Sequence, residues 1–119
     1  MIKTIKNNFI KKGFLISKNF FDKKLLKEIQ ETIFNVSLKF IDSDLKPKIK
    51  NIHDIKFHKA LLELRKKNPK DFGAVFDSIN NSVVIPKFVT QKKLTNLVSK
   101  LTKLPISLIS YSGSKIRMD

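Results

Sequence analysis

Cysteine is absent from the sequence. That removes a disulfide scaffold, a thiolate metal site and a thiol nucleophile together, and makes a reducing cytoplasm the natural setting. Glycine occurs only at Gly13, Gly73 and Gly113, each isolated, so no glycine-rich loop can cradle a phosphate. Histidine is limited to His53 and His58. Long apolar runs are missing as well: Lys3, Lys6, Lys11 and Lys12 interrupt the opening residues before a signal peptide could form. No run approaches the roughly 20 apolar residues a membrane span needs. Acidic residues are scarce, 10 against 25 Lys and Arg, which leaves a formal charge of +15.

What is present suits one folded unit. The 119 residues fit a single domain or part of one. An apolar share of 41% with ten Phe is too high for a disordered basic tail. The charge first suggests nucleic acid, since neutralising phosphates releases counterions. Its make-up argues against that partner: 23 of the 25 cations are Lys, whereas bidentate recognition of phosphate or guanine favours Arg. The lysines accompany nine Asn and fifteen Ile, with only two Ala, a mixture that AT-rich coding over-produces. They run from Lys3 to Lys115 with no dominant block, as solvated helix faces do.

Along the chain, KGFLIS at residues 12–17 reads as a short buried strand opened by Gly13. Asp22 then caps a helix through residue 41, with Leu25, Leu26, Ile29, Ile33, Val36 and Phe40 on one face. Lys24 with Glu28, and Lys27 with Glu31, are spaced to pair on the other face. Residues 42–50 form a loop marked by Asp44 and Pro47. A second helix is expected over 53–67, with Ile55, Phe57, Leu61 and Leu62 inward. Asn68-Pro69 starts a third through Ile79. VVIP at 83–86 is too short to classify. Thr90 can cap a fourth helix through Leu101, burying Leu94, Leu97, Val98 and Leu101. After Pro105 the helical period is lost, and ISLISYSGSKIRMD reads as a strand. Ile106, Leu108 and Ser110 share one of its faces, and Ile109, Tyr111, Gly113, Lys115 and Arg117 the other.

No catalytic constellation assembles from these residues. Asp54 and His58 lie four apart on a helix, a spacing at which a metal could be shared, but two ligands do not make a site. Ser110, Ser112 and Ser114 lack the sharp-turn context of a serine nucleophile.

The order of elements nonetheless resembles the phytanoyl-CoA dioxygenase family. FIKKGFLISKNFFDKKLLKEIQETI resembles its N-terminus, a GF-hydrophobic strand followed by an acid-capped helix. FHKALLELRKKNPKDFGAVFDSINNS is similar to the helical insertion of bacterial members. LTNLVSKLTKLPISLISYSGSKIRMD resembles the helix, the G-x-P-I-like turn and the long strand that lead to the iron-binding His-x-Asp. Lys103-Leu104-Pro105-Ile106 stands at that turn, without the usual glycine.

The resemblance implies an α+β chain: the mostly helical N-terminal part, residues 1–119, of a double-stranded β-helix (jelly-roll) oxygenase, with the barrel incomplete and the metal-binding motif still to come. It implies a longer parent that uses Fe(II) and 2-oxoglutarate to hydroxylate a small-molecule substrate, with iron held by a His-x-Asp and a distant His. This sequence contains no His-x-Asp, so the 119 residues alone are expected to be inactive and to bind neither cofactor. By the same resemblance Lys115 and Arg117 occupy inward positions of a strand lining the 2-oxoglutarate or substrate pocket, where a cation would face a carboxylate. The alternative is a small basic helical protein that binds nucleic acid or another polyanion.

Overall fold

The computed structural model describes residues 2–110, and among them every regular element is helical. The order is α1 (Ile2–Lys12), α2 (Lys23–Phe40), a 3₁₀ turn (Lys46–Lys48), α3 (Ile55–Lys67), α4 (Pro69–Asn80), α5 (Val84–Val89), α6 (Lys92–Thr102) and a 3₁₀ turn (Ile106–Leu108). The expected jelly-roll start is therefore overturned: no strand occurs among the described residues.

Over the described residues both strand assignments fail for local reasons. Gly13 ends a helix rather than opening a strand: it sits at φ +73° and its N–H donates to the Phe9 carbonyl at 2.8 Å. This is the left-handed glycine stop that closes many helices. Lys11 and Lys12 lie in the last turn, where cations favour the helix dipole. Residues 14–17 then run without regular structure, and residues 106–108 close into a 3₁₀ turn with Leu108 N–H on the Pro105 carbonyl at 2.9 Å. An isolated extended segment gains no ladder hydrogen bonds, so alternation alone cannot hold it as a strand. Phe14, Ile16, Leu104, Ile106 and Leu108 are all exposed. Tyr111, Gly113 and the remainder of that expected strand lie outside the described residues.

The helix starts were legible. Asp22 accepts from Lys24 N–H at 3.0 Å, and Asn68 accepts from Asp71 N–H at 3.1 Å while Pro69 fills the first turn. Asp54, expected inside the second helix, caps it instead, accepting from Lys56 N–H at 2.9 Å. Thr90 does not cap α6; its hydroxyl donates back to the Pro86 carbonyl at 2.6 Å, and Gln91 occupies the cap position.

The core is built from residues of α2 through α5 and of the segment joining α2 to α3. Phe57 (1% exposed) packs with Ile41, Ile49, Ala60 and Leu61, and its ring meets Phe34 at 5.2 Å. Val75 and Ile79 of α4 are fully buried, and α4 packs on both α2 and α3. The VVIP run is helical because Val84 and Ile85 turn into the interior, with α5 against α2. Phe21 stacks on Phe88 at 4.5 Å, holding the entry to α2 against α5. Two residues expected inward, Ile55 and Leu62, are exposed, and Leu26 is 40% exposed. Ser37, not expected inside, is completely buried. Lys27 pairs with Glu31 as its spacing suggests, at 3.8 Å, whereas Glu28 is taken by Lys87 of α5 at 2.6 Å.

Candidate functional site

Among the described residues, those expected to carry chemistry do not converge. Lys115 and Arg117 lie outside the described residues. His53 and His58 are exposed on the surface. Asp54 is committed to backbone: the N–H groups of Lys56 and Lys50 hold its carboxyl below the ordinary carboxylate range, and they use the oxygens a metal would need. Among the described residues no three His, Cys, Asp or Glu side chains gather as a metal site would require. These residues therefore do not fit the iron that the resemblance implies. No helix among them is long and apolar enough to cross a membrane.

Two places have definite geometry. The first is the end of α6. Lys103 adopts φ +61°, ψ +18°, the left-handed conformation that glycine takes without a Cβ penalty. Around it the Ser99 hydroxyl donates to the Leu104 carbonyl at 2.6 Å, and the Thr102 hydroxyl donates to the Val98 carbonyl at 2.8 Å while accepting from Leu104 N–H at 3.3 Å. Hydroxyls thus tie the last turn of α6 to the segment that follows it. The chain then turns through Pro105 into the 3₁₀ turn.

The second is a groove of about 290 Å³ between α1, Phe20 and α6. Ile5, Leu97 and Leu101 give it an apolar floor with Phe20, and Lys6, Lys93 and Lys100 lie along it. Lys93 is fixed: its ammonium donates to the Phe20 carbonyl and stands 4.7 Å from the centre of the Phe20 ring.

Acidic residues are distributed unevenly about this groove. Residues 2–21 hold five Lys and no acid, and residues 78–110 hold another five Lys and no acid. Nine of the ten acids fall within residues 22–77, among 13 cations. The two acid-free segments are remote in sequence, and α1 and α6 bring them together. Reading the lysines alone shows an even spread; the signal was in where the acids are not.

Compared with protein-family models, curated proteins and solved structures, the chain finds no match.

Proposed function

We propose that these residues form the helical portion preceding the iron-binding motif of a non-haem Fe(II), 2-oxoglutarate-dependent oxygenase of the phytanoyl-CoA dioxygenase-like type. The observation that supports this most is the left-handed Lys103. The resemblance puts a glycine at this position, and the backbone here takes the conformation for which glycine is suited. The order of the Asp22 cap, the Asn68-Pro69 start and the turn after α6 supports the same reading. In the longer protein Lys115 and Arg117 would face the carboxylates of 2-oxoglutarate or of the small-molecule substrate. The iron ligands must come from elsewhere in that protein, and a cytoplasmic setting suits both Fe(II) and a cysteine-free chain.

Two experiments test the reading. The reading frame past Asp119 should encode a His-x-Asp within roughly 10 to 25 residues, the interval the resemblance implies for supplying the facial triad; a stop codon there removes the proposal. The purified 119-residue chain, given Fe(II), ascorbate and 2-oxoglutarate, should release no succinate. Turnover by that chain would show that its own residues hold iron.

The acid-free pair of segments favours a second reading, a basic helical protein binding nucleic acid or another polyanion. That reading requires log K to fall steeply with log salt, by about 0.9 per phosphate neutralised on duplex DNA. A shallow slope sets it aside.

A further inference from the structure

We propose that the groove between α1 and α6 binds an amphiphilic anion: a compact apolar body carrying a single sulfonate, carboxylate or phosphate head. The inference does not depend on the oxygenase reading, because every residue it uses lies on α1, on α6 or at Phe20.

Three observations carry it. First, the groove presents one coherent face. Lys93, Asn96, Leu97, Lys100 and Leu101 follow the i, i+3, i+4, i+7, i+8 pattern of a single helical stripe, opposed by Ile5 and Lys6 of α1. Its volume of about 290 Å³ suits an aromatic bicycle or a short alkyl chain. Second, the charge has one sign. Among the described residues no carboxylate lines the groove, and none occurs in the two segments that build it. An anionic head placed there meets lysines contributed by both helices, and neither segment supplies a competing acid. Third, part of the site is preformed. Lys93 is already held on Phe20 by its carbonyl contact and its ring, so less side-chain freedom is lost when an anion arrives.

The same features disfavour a nucleic acid in this groove. Base recognition uses Arg forks, and the only Arg among the described residues is Arg65 of α3, which stands over the Phe72 ring. Base stacking uses an open aromatic face, and among the described residues the one ring lining the groove, Phe20, has Lys93 across it.

The test is a fluorescence titration of the full chain with 1-anilinonaphthalene-8-sulfonate and with its uncharged counterpart N-phenyl-1-naphthylamine. The sulfonate is expected to saturate at one per chain and to bind about three- to tenfold tighter, the ratio that two or three partly solvated charge contacts supply together. The double variant K6Q/K100Q should lose about threefold or more of the sulfonate affinity and little of the neutral dye's. The control pair K46Q/K48Q, on the 3₁₀ turn before α3, should change it by less than about twofold at moderate salt. Far-UV circular dichroism of each variant checks that the helices persist. Equal affinity for the two dyes, or equal losses in the two variant pairs, would overturn the groove as the site. Displacement of the sulfonate by a short DNA oligonucleotide at matching occupancy would overturn it too, by giving the face to a polyanion.

Discussion

The chain divides into two regions built on different principles. Between Leu25 and Ile85 lie all the buried residues of the described structure, among mixed charges and around Phe57, Val75 and Ile79. Among the residues whose burial is described, the α1 and α6 helices bury none completely; they carry lysine without acid and meet each other across an open groove. One region is held by packing; the other is shaped by charge and left accessible. The lesson is that a net charge of +15 hides a division that matters more than the total.

The contrast can be broken most severely at Phe57. Phe57→Ala removes the most buried ring and its contact with Phe34, and should cost about 3–5 kcal/mol, a large part of a domain's stability. Thermal unfolding should show a large fall in midpoint. Leu97→Ala, half-buried in the groove, should cost no more than about 1–2 kcal/mol. Equal losses at the two positions would dissolve the distinction between a packed and an open region.

Backbone effects come next. Gly13 and Lys103 end α1 and α6 in the same left-handed conformation, one with the suitable residue and one without. Gly13→Ala should destabilise by roughly 1 kcal/mol, and because no heavy atom lies within 4 Å of an added Cβ the cost is conformational. Lys103→Gly should stabilise by roughly 0.5–1 kcal/mol, strain relief minus the extra freedom of the unfolded chain, whereas Lys103→Ala should bring no gain. Denaturant midpoints of the three variants check the sign in each case.

Smaller effects sit inside the packed region. Ser37 is fully buried and its hydroxyl has no hydrogen-bond partner among the described residues. Ser37→Ala removes the unsatisfied group and should be neutral or stabilising by up to about 1 kcal/mol. Asp54 gives a pH dependence of known sign. Its carboxyl titrates lower folded than unfolded, so its contribution is complete above the unfolded value of about 3.9 and is lost as pH falls through the lower folded value. Asp54→Asn should flatten acid unfolding in that window and leave behaviour between about pH 5 and 8 unchanged.

Much of the packed region could be read from the sequence because local chemistry marks it: Asp22 and Asn68-Pro69 each fix a helix start whatever surrounds them. Burial was harder to read. Ile55 and Leu62 satisfy an apolar pattern yet face water, while Ser37 is inside because α2 is clasped by α4 and α5. α1 is not legible in the sequence because Gly13 before an apolar run suits the opening of a strand, while glycine at positive φ serves a helix end equally well. The groove was invisible for a different reason: Lys6 and Lys100 become neighbours only when α1 folds onto α6, and no local spacing encodes that.

Native-state hydrogen exchange of the full chain tests the division most directly. Amides of Phe57, Val75 and Ile79, in the packed helices, should exchange only through global unfolding. Those of Phe9 in α1 and Leu97 in α6 should exchange through local opening at least about 100-fold faster, a gap of roughly 2.7 kcal/mol. Protection of α1 and α6 equal to that of α3 and α4 would contradict the account, because it would mean that the lysine-lined pair belongs to the same cooperative core.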